Sequence, residues 1–149
     1  MFTPIRSAAA YAAIVTLGAW LTGLVVNVAY HLTTAFGEDF QAARLITWDD
    51  AGLIAAELAA LTTARKLLPA MPRWKITVFD APLYTAVMLV VAVAASASEG
   101  LAYAVDGGFV YLIFAMLTLH LPAAYLLSWW ASGHLTLAMK SPGDRSILD

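Results

Sequence analysis

The chain has 149 residues, of which 62% are hydrophobic and only 12% charged, and its mean hydropathy is +0.78. Soluble domains run at about 45 to 50% apolar and about 25% charged, so this composition argues against a water-soluble globule and for one membrane domain over residues 1–149. The absence of cysteine excludes disulfides, thiol redox chemistry and thiolate metal sites, and the net charge of -2, with no large basic cluster, speaks against nucleic-acid binding.

Arg6 opens a run without charge from Ser7 to Gly37. Its start resembles a secretory signal, but the run passes Val26, longer than the roughly 7 to 15 residues of a signal core, so a retained first helix is expected over 7–34. Within it, Trp20, Gly23, Asn27 and His31 follow one face at helical spacing. Such a polar stripe commonly bonds membrane helices to one another. Phe36, Phe40 and Ala43 beside acidic residues suggest a short interfacial helix over 38–46. Thr47 and Asp50 are spaced as a capping pair, placing a second helix over 48–68, which Pro69 and Pro72 end. Asp80 followed by Pro82 reads as a helix start, giving a third helix over 80–98. After Glu99, Gly100 and Asp106 to Gly108, the fourth helix is expected over 109–130, kinked at Pro122. Trp129 and Trp130 would sit at an interface, and an interfacial extension would follow over 132–140.

The expected fold is therefore all-α, an integral membrane four-helix bundle. Arg6, Arg65, Lys66, Arg73, Lys75, Lys140 and Arg145 fall at the N-terminus, in the connection after the second helix and at the C-terminus; Glu38, Asp39, Asp49, Asp50, Glu99 and Asp106 fall in the opposite connections, with Arg44 the one base there. Positive charge in short loops marks the cytoplasmic side, so both termini are expected in the cytoplasm of a prokaryotic inner or plasma membrane.

Glu57 is the main candidate for chemistry because it falls near the middle of the second helix. A charged group at a membrane helix centre costs about 2.5 to 3.5 kcal/mol, so it is expected to face the bundle interior and to be neutral, paired or part of a pathway. His120 is its candidate partner, although helical rise from the outer ends puts His120 near 17 Å and Glu57 near 10 Å, a gap that tilt must close. A bland alternative has His120 bonded to a carbonyl near Pro122. Asn27, His31, Glu57, Glu99 and His120 form the candidate binding set, with Glu57 and His120 as candidate acid and base. Glu57, Glu99, His31 and His120 are suitable metal-ligand types, yet no spacing recommends a site, so no metal is expected. His31, His120 and His134 fall at unmatched depths for a bis-histidine haem, and no cofactor is expected. Ser96, Ser98 and Glu99 lack the strand-turn-helix setting of a nucleophile elbow.

Three functions remain. The first is a non-catalytic accessory or stabilising subunit of a larger membrane assembly, since no soluble domain, nucleotide motif or dense polar cluster is evident; its partners would be the bilayer and either another membrane protein or copies of the chain. Ala51, Ala55 and Ala59, with Ala56, Ala60 and Ala64 beside them, would let helices approach closely. The second is a transporter or channel with Glu57 in its pathway. The third is a small enzyme on a lipid or quinone-like substrate, using Glu57 and His120. Whether the chain is an enzyme is left open, with the balance against it. The expected topology is tested by placing single cysteines at Glu38, Arg73 and Asp106 and labelling intact cells with an impermeant reagent. Positions 38 and 106 should react and position 73 should not, and reaction at position 73 would overturn the assignment.

Overall fold

A computed structural model describes residues 8–34, 48–68, 71–97 and 100–134. These form five helices: α1 (Ala8–Thr34), α2 (Trp48–Leu67), α3 (Arg73–Ala95), α4 (Leu101–Leu117) and α5 (His120–His134). Among the described residues there is no strand. The segments 38–46 and 135–140, expected at the interface, and Glu99 lie outside the described residues.

Neighbouring helices pack in a ring in which α1 meets α2, α2 meets α3, α3 meets α5, and α5 returns to α1. The remaining helix, α4, lies against α3 and touches α5. The core holds Tyr11, Val15, Leu53, Leu61, Tyr84, Met88 and Leu121, all at most 3% exposed. Large apolar side chains also cover the outside, among them Leu21, Val25, Val78, Val90, Val110 and Leu126, each more than half exposed. An apolar exterior around a close-packed interior is what a bundle facing hydrocarbon requires.

By length and apolarity, Ala8–Tyr30 and Arg73–Ala95 are each able to cross a membrane, and the bent pair Ala102–Leu117 and His120–His134 makes a third crossing if it is one broken span. The second helix is not among these candidates, because Asp49, Asp50, Glu57, Arg65 and Lys66 break its apolar composition. Two of those five, Glu57 and Arg65, are turned into the bundle and are 1% and 6% exposed. The residues that make α2 look polar are thus partly hidden by packing.

The first two helices match their expected limits, but the next two do not. The third begins at Arg73, not 80, with Pro72 as its N-cap and Lys75 N–H donating to the Pro72 carbonyl at 2.9 Å. Asp80 is consequently no cap. It lies inside α3 and is 1% exposed, and Pro82 also lies within the helix. Buried Ile76, Asp80, Ala81, Tyr84 and Met88 anchor the helix on both sides of the proline, and this packing outweighs the one hydrogen bond that proline removes.

The expected single helix over 109–130 is instead two helices meeting at 62°. Thr118 ends α4, and Leu119 takes a left-handed conformation with φ of 61°. Proline in a helix interior collides with the carbonyl four residues earlier, which for Pro122 is Thr118. The break relieves that collision and places Pro122 in the first turn of α5, where its missing N–H has no helical partner to lose. The chain therefore breaks before the proline and not at it. Close packing of α5 on α1 relies on glycine: a Cβ at Gly18 would stand 2.6 Å from a Leu127 methyl, and one at Gly23 would stand 3.1 Å from the Cβ of His120.

Candidate functional site

The bundle interior contains two polar layers separated by apolar packing. The first is built on Tyr84 of α3. Its hydroxyl lies 2.7 Å from Nε2 of His120, and Glu57 is near enough to interact with the same hydroxyl. Three helices thus contribute one link each to a chain running from His120 through Tyr84 to Glu57. A phenol carries one proton and accepts others, so it is able to donate to one of these groups and accept from the other. The second carboxyl oxygen of Glu57, Oε1, is buried without a hydrogen-bond partner among the described residues, as is the hydroxyl of Thr16 on α1.

The helix break brings His120 to this position. It starts α5 directly after Leu119, at the level where Gly23 leaves room for its ring. Tyr84 bridges the depth difference expected between Glu57 and His120, since it lies 2.7 Å from His120 and interacts with Glu57. Asn27, Trp20 and Gly23 line one cavity with His120, together with Asp50, Tyr111 and Thr118. This cavity, about 60 Å³, holds space for several waters by the ~10 to 15 Å³ one water needs. The helical stripe of α1 is therefore a cavity wall. His31 belongs to α1, but its side chain, like Glu99, is outside what is described. Glu57 is not among the described residues that line the cavity.

The second layer lies toward the opposite end of the bundle. Nη2 of Arg65 stands 2.8 Å from Oδ1 of Asp80, with both side chains at most 2% exposed. Tyr11 donates its hydroxyl to Oδ2 of Asp80 at 2.7 Å and lies 2.7 Å from Oγ of Ser128. All four helices of the ring meet in this cluster. At the same end, Nε of Arg73 donates to the Trp129 carbonyl at 2.7 Å and its guanidinium lies 4.3 Å from the Trp129 ring centre, fastening the start of α3 to α5.

This layer was not expected from the sequence. Arg65 reads there as one of the loop bases and Asp80 as a cap, whereas both are interior. A usable signal existed in α3, since a helix started at Arg73 puts Asp80, Tyr84 and Met88 on one face at four-residue intervals. On α2, Glu57, Leu61 and Arg65 keep the same interval and are all buried. The two layers therefore share helix faces, with Glu57 and Arg65 about 12 Å apart by helical rise.

Among the described residues, no three His, Cys, Asp or Glu side chains gather to hold a metal ion. No protein-family model matches the chain, and no curated protein or solved structure is significantly similar to it.

Breaking a buried ion pair by removing one partner costs about 3 to 5 kcal/mol, whereas replacing both partners by apolar residues is often neutral. Asp80→Leu and Arg65→Met should therefore each lower the unfolding temperature in mild detergent sharply, and the double variant should recover much of the loss. A double variant as unstable as the sum of the singles would show that the pair is not acting as a unit.

Proposed function

We propose that the chain is an integral membrane transport protein in which α1, α2, α3 and the broken α4–α5 unit each cross the bilayer, and in which Glu57 exchanges protons with one aqueous face through Tyr84 and His120. The observation that carries this reading is the helix break at Thr118 and Leu119, which lines a polar cavity and begins the His120–Tyr84–Glu57 chain. Non-helical backbone at membrane depth is tolerated where it lines a cavity, and discontinuous helices form the binding sites of many transporters. Ionisable side chains inside membranes mark ion and proton routes.

In this reading the cavity at Asp50 is the entrance and the Arg65–Asp80–Tyr11–Ser128 layer closes the other end. Protons entering at His120 pass along the tyrosine hydroxyl to the carboxyl. Charge asymmetry favours an extracytoplasmic entrance, with both termini in the cytoplasm. The acid–base enzyme reading has less support, because Glu57 does not border the cavity in which a substrate would sit.

One observation favours the accessory-subunit reading. Ala51, Ala55, Ala59 and Thr63 form an exposed stripe of small residues along α2, which suits close approach by another membrane helix, from a second copy or a different protein.

Purified protein in liposomes containing a pH-sensitive dye separates the two. Under an imposed pH gradient with a potassium ionophore, the wild type should admit protons above the level of empty liposomes. Glu57→Gln and Tyr84→Phe should each cut that flux at least about tenfold, since each removes a proton-bearing link, while remaining helical and monodisperse. Wild-type flux no greater than empty liposomes would contradict the transport reading and leave the accessory role; equal flux through Tyr84→Phe would remove Tyr84 from the pathway.

A further inference from the structure

The end of the bundle opposite the His120 cavity carries an exposed group of basic and aromatic side chains. Lys66 lies in the last turn of α2, Arg73 and Lys75 lie in the first turn of α3, and all three are exposed. Trp74 beside them and Trp129 and Trp130 on α5 are 54%, 46% and 41% exposed. Arg73 is fixed in place among them. Its Nε donates to the Trp129 carbonyl at 2.7 Å, and its guanidinium carbon lies 4.3 Å from the centre of the Trp129 ring. Gly133 leaves the space that it fills, since a Cβ there would stand 2.7 Å from Cζ of Arg73. The guanidinium is thus held through Nε and one face, and Nη1 and Nη2 supply the fork of N–H groups that matches two oxygens of a phosphate. Lys75 adds a second cation, its Nζ 5.4 Å from the centre of the Trp74 ring.

We propose that this end of the bundle seats the headgroup of an anionic phospholipid, with the phosphate on the Arg73 fork and Lys66 and Lys75 supplying charge around it. Charge selects that partner. Apart from Arg65, which Asp80 pairs with inside the bundle, the sequence before α1, between α2 and α3 and after α5 contributes Arg6, Lys66, Arg73, Lys75, Lys140 and Arg145 against only Asp144 and Asp149. The count includes every residue of the terminal segments that lie outside the described residues, so the positive excess holds wherever those segments run. Groups of four to eight bases beside membrane helices attract anionic lipids. Half-exposed tryptophans settle at the depth of the headgroups, which brings the phosphates of that leaflet to the level of Arg73. A guanidinium already clamped by a carbonyl and a ring loses little further freedom when it binds, so the geometry favours a phosphate at Arg73 over one at the freely moving lysines. A zwitterionic lipid offers the same phosphate together with an ammonium that the surrounding bases repel. The net charge of the headgroup therefore decides.

The seat rests on the membrane placement of the transport reading but not on proton movement, so the two fail separately. The test uses the full chain in phosphatidylcholine nanodiscs carrying a trace of photoreactive phosphatidylglycerol or photoreactive phosphatidylcholine of the same chain length, with crosslinked peptides located by mass spectrometry. Peptides holding Lys66 to Lys75 and Trp129 to Gly133 should take the anionic probe at least about fivefold more than the choline probe, roughly a 1 kcal/mol preference. Peptides holding Tyr103 to Val110 should show no preference. Excess inorganic phosphate should displace the anionic probe no more than chloride of equal ionic strength does, because the occupant is the lipid and not a soluble anion. Lys66→Gln with Lys75→Gln, both at exposed positions, should cut the preference at least about twofold at an unchanged melting temperature. Gly133→Ala, which pushes the guanidinium from its place without altering charge, should also reduce it. Glu57→Gln should lose proton flux and keep the preference, and absent flux in the wild type with the preference intact would remove the transport reading alone. Equal labelling by the two probes, an equal preference at the Tyr103 to Val110 end, displacement specific to inorganic phosphate, or a preference that survives both Gly133→Ala and the paired lysine substitutions would each overturn the proposal.

Discussion

The Tyr84 hydroxyl is the contact on which the interior depends. Glu57 is 1% exposed in a bundle whose outer surface is itself apolar, and an unsolvated carboxyl there needs a hydrogen-bonding partner. Tyr84 is the neighbour that interacts with it, and the same hydroxyl lies 2.7 Å from Nε2 of His120. That link also explains why the cavity at the Asp50 end matters to Glu57, which is not among the described residues that line it.

The second requirement is the break between α4 and α5. An unbroken helix through Thr118 and Leu119 would force Pro122 against the Thr118 carbonyl and would keep His120 inside a continuous rod. By taking the left-handed conformation at Leu119, the backbone turns α5 by 62° against α4 and allows it to close on α1, where Gly18 and Gly23 make room. A leucine in that conformation costs about 1 to 2 kcal/mol, and the packing of α5 in the ring offsets it. Beyond the bend, α4 packs on α3 and touches α5. The position of His120 and the polar cavity thus share one backbone feature.

Much of the fold is legible in the sequence because hydrophobic run length reports helices directly: α1 and α2 begin and end within a residue of their expected limits. What local signals misplace is instructive. Asp80 and Pro82 make a plausible helix start, yet Pro72 starts the helix and tertiary packing carries it through Pro82. Arg65 looks like a loop base because it precedes Lys66 and two prolines, and only the register of Asp80 on the neighbouring helix draws it inside. For the site, Glu57, His120 and Asn27 are recognisable as polar residues in apolar runs. Tyr84 and Tyr11 are not, since a tyrosine is unremarkable in a membrane helix until the positions facing it are known. The break at Leu119 has no composition signature of its own beyond the proline three residues later. Long-range pairing, absent from any local window, decided each of these cases.

The linkage of His120 to Tyr84 is most directly measured by solid-state nitrogen NMR on protein carrying labelled histidine reconstituted in lipid, with His31→Gln and His134→Gln leaving His120 as the one labelled ring. The Nε2 resonance should report a strong hydrogen bond and should move when Tyr84→Phe removes the hydroxyl, while the helical content stays unchanged. A smaller displacement is expected with Glu57→Gln, transmitted through the tyrosine. An Nε2 resonance identical in the presence and absence of the Tyr84 hydroxyl would contradict the chain from His120 to Glu57, and with it the role assigned to the buried carboxyl.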